Sequence, residues 1–294
     1  MEHLVRILRW LYAPVFFLGF IAAAVLLVAA GSSKMLLLAL LAAAIAVAFL
    51  AEMAIPYERA WNRPKGDRLR DVWHALVNES LIVLSILALP VFAAVTPDAG
   101  IWPHDWPMWT QLALAVILAD LGITGVHYLS HRWGWLWRLH AVHHSVQRMY
   151  GFNGLMKHPL HQSVEMLAGV APLLLLGMSA NVAWLLAFAV AIQLLLQHSN
   201  VDMRIGPLGR IWAVAPVHRH HHLASATDGD VNFGLFTCIG DHLLGTWRYG
   251  PPTPREGAIG IAGEPDYPND YVAQLWAPFR TSWRANLRRT TSKP

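Results

Sequence analysis

Cysteine is nearly absent: Cys238 is the only one in 294 residues. A lone thiol excludes a disulfide framework, a cysteine-ligated zinc site and an iron–sulfur cluster. Any metal therefore rests on imidazole and oxygen ligands. Charge is scarce as well. Charged side chains make up 14% of the chain and hydrophobic ones 55%, against about 25% charged in soluble domains, so a bilayer is the main solvent. The net charge of +4 is too small to call for a nucleic acid partner. Glycine-rich flavin or nicotinamide fingerprints, internal repeats, low-complexity tracts and long flexible linkers are all missing. Residues 1–294 thus read as one domain.

Apolar runs long enough to span a membrane lie at about 12–31, 35–55, 72–95 and 108–127. The first is followed closely by the second and lacks a small-residue cleavage site, so it reads as a span and not a signal peptide. A further apolar stretch, 164–197, is broken at Gly177-Met178-Ser179-Ala180-Asn181. Each half is short for a span of about 20 residues, and the expectation is a helical hairpin that enters and returns. Residues 198–294 form a cap and tail, rich in tryptophan and proline over 205–280. The fold class expected is an all-α membrane protein, with four transmembrane helices, a hairpin and a histidine-rich helical cap.

Basic residues alternate by segment. The N-terminus carries two, the turn at 32–34 one, the 56–71 loop five, the 96–107 loop none, the 131–163 segment four, the 177–181 turn none and the tail from Arg204 ten. None falls inside a proposed span. The positive-inside rule then places both termini, the 56–71 loop and the cap in the cytoplasm. Trp102, Trp106 and Trp109 mark the opposite interface.

What the chain has in excess is histidine: sixteen, thirteen of them between His127 and His242. His127 and His131 stand at i and i+4, one turn apart on one helix face. His140, His143 and His144 stand at i, i+3 and i+4, and His218, His221 and His222 repeat that spacing. His220 lies about 200° around a helix from His218 and faces elsewhere. Imidazole suits zinc, copper, iron and nickel, and eight such ligands exceed the needs of one ion, so two ions are the economical reading. His198, at the end of the hairpin, is a ninth candidate. Asp120 sits seven residues before His127 inside an apolar run, where a carboxylate is costly. Its expected role is to accept a ring N–H from a ligand histidine. His158 and His161 are open between structural and metal-contacting roles. His3, His74, His104 and His242 fall outside the clusters.

In their order, Asp120, His127-x-x-x-His131, His140-x-x-His143-His144, His198 and His218-x-x-His221-His222 resemble the fatty acid hydroxylase/sterol desaturase superfamily. Asn232-Phe233-Gly234 and Asp241-His242-Leu243-Leu244-Gly245-Thr246 are similar to two further family elements. The spacing of the first two boxes resembles the alkylglycerol monooxygenase-like branch. The resemblance covers about residues 115–248 and implies two iron ions held by the nine histidines, with O2 as co-substrate. Asp120, Asn232 and Asp241 would support the ligands. The activity implied is hydroxylation or desaturation of an alkyl C–H in a membrane lipid. Electrons would come from an external ferredoxin, cytochrome or reductase, and a bacterial inner membrane fits the short, uninterrupted chain. Two other classes compete. A zinc-dependent membrane hydrolase would usually use fewer ligands and an open position. A metal transporter or sensor would place ionisable residues along several spans.

Overall fold

The computed structural model describes residues 2–89, 91, 100–225, 227–251, 254–255 and 257–280. Among these every regular element is helical, joined by three isolated β-bridges. The long helices are α1 (Glu2–Ala29), α2 (Met35–Ala54), α3 (Arg68–Leu87) and α4 (Met108–Ser130). They are followed by α5 (Gly134–His144), α6 (Pro159–Leu175) and α7 (Ala180–Gln197). Short helices α8 (Ala215–His218), α9 (Ile239–Leu244) and α10 (Tyr271–Trp276) belong to the cap.

Four helices are long and apolar enough to cross a membrane: α1, α2, α4 and α7. The number matches the expectation from sequence, but the membership differs. The proposed third span, 72–95, is represented by α3, which carries Arg68, Arg70, Asp71, His74 and Glu79. Within that span, residues 90 and 92–95 lie outside the described residues. The second arm of the hairpin, α7, is a full 18-residue span and the most enclosed of the four. It runs through the middle of the bundle, packed on α1, α2 and α4. The break between the arms is a true turn. Gly177 takes a positive φ, and the Ser179 hydroxyl caps α7 by accepting from Val182 N–H.

Outward faces of α1 and α2 are leucine-rich and exposed, as lipid-facing surfaces are. Small residues permit the closest packing. A Cβ on Gly122 would lie 2.2 Å from the Ala168 carbonyl oxygen, and one on Gly169 2.8 Å from Ile123 Cγ1. Backbones of α4 and α6 therefore meet directly, as small residues allow in membranes.

The two ends of the bundle differ in chemistry. At one end the Lys34 ammonium donates to Asn181 at 2.8 Å, joining the 32–34 and 177–181 turns. At the other, Arg9 pairs with Asp202 at 2.9 Å and its carbonyl accepts from Arg204 N–H. The N-terminal end of α1 therefore sits beside the cap, on the end rich in basic loops.

Candidate metal centre

Nine histidines converge where α4, α5 and α7 end. One nitrogen from each of His127, His131, His140, His144 and His221 lies within 4.8 Å of the others in a first group. His143, His198, His218 and His222 form a second group on the same criterion. Eight of them are the histidines singled out by spacing and the ninth is His198 from the end of the hairpin, and the division between groups follows a rule. In each His-x-x-His-His box the i and i+4 members stay together and the i+3 member crosses. His140 and His144 serve the first group while His143 goes to the second; His218 and His222 serve the second while His221 goes to the first. The third box is not a continuous helix: α8 ends at His218 and 219–222 continue as turns.

The spacing within each group is that of a coordination polyhedron. His127 Nε2 lies 3.0 Å from His140 Nε2 and 2.8 Å from His221 Nε2, and His144 Nε2 is 3.0 Å from His140 Nε2. In the second group His198 Nε2 is 3.1 Å from His143 Nε2 and 3.2 Å from His222 Nε2, itself 3.2 Å from His218 Nε2. A metal–nitrogen bond of about 2.0–2.1 Å with neighbouring ligands 90–109° apart gives roughly 2.9–3.4 Å between nitrogens. Converging lone pairs at such distances repel unless a cation lies between them. His131 Nε2 is likewise buried without a hydrogen-bond partner. The donor set fits a metal pair.

The outer nitrogens fix the tautomer. His127 Nδ1 meets the Phe233 carbonyl at 2.7 Å, His221 Nδ1 that of Val231 at 2.8 Å, and His143 Nδ1 that of Met156 at 3.0 Å. A carbonyl only accepts, so Nδ1 carries the proton and Nε2 keeps the lone pair for the metal. Burial, reinforced by the neighbouring imidazoles, pushes His140, His143, His144, His218 and His222 well below the ordinary histidine range. Burial also brings His221 down to about 4 and His198 to about 3. Neutral imidazole is the form that ligates. Phe233 and Trp137 pack on the first group, each with its ring 5.0 Å from that of His131, and exclude water.

Asp120 does not take the place expected of it. Its carboxylate accepts from Leu235 N–H (3.0 Å), Phe236 N–H (2.7 Å), Thr237 N–H (3.0 Å) and the Thr237 hydroxyl. Asp241 accepts from Phe233 N–H at 2.7 Å and Gly234 N–H at 2.9 Å. Two carboxylates thus hold five consecutive amides, 233–237. The Phe233 carbonyl at the start of that stretch holds His127, and the Val231 carbonyl just before it holds His221. Asp120 acts one bond further out than a ring N–H acceptor because its helix faces the loop's amides. Asn232 adopts φ 56°, a conformation that asparagine tolerates, and its side chain bridges Val217 O and Arg248 O.

Other histidines separate cleanly. His220 faces the carbonyls of Val217 and Gly250, away from both groups. His158 caps α6 by accepting from Leu160 N–H, and its Nε2 meets Leu275 O. His161 lies 4.6 Å from the His140 ring but turns Nε2 to the Ser130 hydroxyl at 2.8 Å. Gln193 and Gln197 were not singled out from sequence. Their amides donate to Leu235 O and Gly234 O, and they clamp the same loop from α7. Two glutamines four residues apart in an apolar span were the available signal.

The family model for fatty acid hydroxylases matches residues 112–246, a stretch that contains all nine histidines, Asp120, Asn232 and Asp241. An ornithine lipid hydroxylase of Rhizobium tropici is 33% identical over 254 residues, covering 83% of this chain and 76% of that protein. An alkylglycerol monooxygenase of Danio rerio is 27% identical over 146 residues, covering 50% of this chain and 31% of that protein. A beta-carotene hydroxylase of Pseudescherichia vulneris is 32% identical over 134 residues, covering 42% of this chain and 74% of that protein. No solved structure matches the chain. The chain belongs to the fatty acid hydroxylase family, a non-haem iron, O2-dependent family of membrane oxidoreductases.

Proposed function

We propose that this chain is a di-iron monooxygenase that inserts one oxygen atom of O2 into an alkyl C–H bond of a membrane lipid. The observation that carries the reading is the pair of imidazole groups, five and four ligand nitrogens, those of each group lying within 4.8 Å of one another. Two iron ions held there would supply the redox capacity for O2 activation, which side chains alone do not provide. Hydroxylation converts R–H, O2, two electrons and two protons to R–OH and water. The electrons come from an external ferredoxin, cytochrome or reductase, since the chain carries no nucleotide fingerprint.

Within that reading, His127, His131, His140, His144 and His221 hold one ion, and His143, His198, His218 and His222 the other. Asp120, Asn232 and Asp241 are positioning residues. They set the 231–237 loop, whose carbonyls hold two ligand rings. The relatives are named as hydroxylases or monooxygenases, which favours hydroxylation over desaturation, and an ornithine lipid is the first substrate to try. We read residues 1–294 as one domain, supported by bonds that tie the first and last described α-helices to the rest: Arg9 to the 202–204 segment and Gln274 to His74 on α3. The basic-rich end, with the metal groups, faces the cytoplasm of a bacterial inner membrane. Lipid extracts of a strain lacking the gene should lose species heavier by one oxygen than their partners, and re-expression should restore them. Unchanged lipid masses in that strain would contradict the assignment.

A further inference from the structure

Two cavities lie side by side between α2 and α3 and share Val72 and Phe152 as walls. The deeper one, 530 Å³, lies between leucine and isoleucine positions of α2 and the α3 face that carries Val72, Leu76 and Val83. The upper one, 310 Å³, is lined by Phe49, Glu52, Asn62, Arg68, Arg148 and Tyr150. Along α3 the lining runs from Arg68 to Leu84 at three- and four-residue steps, one continuous helix face of about 24 Å. That length is most of the hydrocarbon thickness of about 30 Å.

Charge at the upper end is asymmetric. Glu52 is turned inward, its Oε1 accepting from Gly151 N–H at 2.8 Å and Asn200 N–H at 2.9 Å. Arg148 is taken up by Asp67 through two bonds of 2.6 and 2.9 Å. Arg68 is exposed and has no ion-pair or hydrogen-bond partner among the described residues. A mouth with one uncommitted guanidinium above an apolar trough fits one occupant. We propose that the cleft between α2 and α3 binds an acyl lipid with an acidic headgroup, the headgroup at Arg68 and the chain along the facing stripes of the two helices. Glu79 and Ser80 interrupt the apolar wall and mark the one level where a polar group of that chain is accepted. The inference rests on the lipid-oxidising reading above and specifies where that lipid binds. Only the 151–156 turn separates the cleft from the metal groups. Phe152 and Leu155 line the cleft, the Met156 carbonyl holds His143, and a Cβ on Gly154 would lie 2.9 Å from His198 Nδ1.

The test uses the full-length protein in phosphatidylcholine nanodiscs and two photoactivatable diazirine probes of equal chain length, a fatty acid and a fatty alcohol. Mass spectrometry of labelled peptides should place the fatty acid on the cleft-facing residues of 35–54 and 68–87. Labelling there should exceed that by the alcohol about five-fold, and Arg68→Ala should bring it to the alcohol's level. His143→Ala should label as the unaltered protein does, because the readout needs no metal and separates failure here from failure of the di-iron reading. Label mainly on other surfaces, equal labelling by acid and alcohol, or an Arg68→Ala variant that labels like the unaltered protein would overturn the proposal.

Discussion

Four of the nine ligand rings, His127, His143, His198 and His221, are oriented by a backbone carbonyl at the outer ring nitrogen. Replacing Asp241 by alanine strands the Phe233 and Gly234 amides, each buried unpaired donor costing about 1–3 kcal/mol. The carbonyls of that loop hold His127 and His221, both of the first group. Asp241→Ala and Asp120→Ala should therefore lower bound metal from about two ions per chain toward one, measured by elemental analysis. His198→Ala should do the same through the second group. His220→Ala should retain both ions, since its ring faces carbonyls away from the centre. Loss of metal in the His220 variant equal to that in His198→Ala would contradict the division of roles.

Acid should release the metal by the same residues. His221 at about 4 and His198 at about 3 are held neutral by burial, while the unfolded chain takes those protons near pH 6.5. Stability from the neutral rings is present above pH 6.5 and is lost as pH falls toward 4. Metal content after dialysis should drop across that window, because protonation removes the ligand lone pair. Retention of full metal at pH 4 would count against imidazole ligation.

At the scale of elements, the central fact is that α4 and α6 meet backbone to backbone through Gly122 and Gly169. Gly122→Ala places a methyl group 2.2 Å from the Ala168 carbonyl oxygen, so the helices must separate and His127, further along α4, must shift. Gly125, on the same helix, has nothing within 4 Å of a built Cβ. Gly125→Ala should be neutral or stabilising, by up to about 1 kcal/mol, while Gly122→Ala lowers the thermal midpoint in detergent. Equal midpoints for the two would refute the close packing. Helical spacing made eight of the histidines legible, since i and i+4 positions share a face whatever the tertiary fold, and the end of the hairpin supplied His198. It did not reveal which member of each box crosses to the other group, because that depends on how α5 and the 215–222 segment approach each other. Asp120 was legible as a costly intramembrane acid, but its partners are amides 115–117 positions away, and no local pattern encodes them. The hairpin's second arm reads as short when taken with its break; the structure makes it the enclosed centre of the bundle.

On the scale of the whole molecule, one end of the bundle gathers the metal groups, the N-terminal arginines and the basic loops, and the other the Lys34–Asn181 turn pair. Lysine and arginine counts along the sequence separate the same two ends. Because Cys238 is buried, single introduced cysteines report their side without background. Arg63→Cys should react with a membrane-impermeant thiol reagent only from the cytoplasmic side, and Asp105→Cys only from the opposite side. The reverse pattern would invert the proposed orientation and leave the fold untouched. The central claim, two metal-holding groups built for O2 chemistry, is tested most directly by elemental analysis of protein purified from iron-replete cells, with O2 uptake followed under a chemical reductant. The account predicts about two irons per chain and reductant-dependent O2 consumption that His143→Ala abolishes. Zinc in place of iron, or a single ion per chain with no O2 uptake, would contradict it.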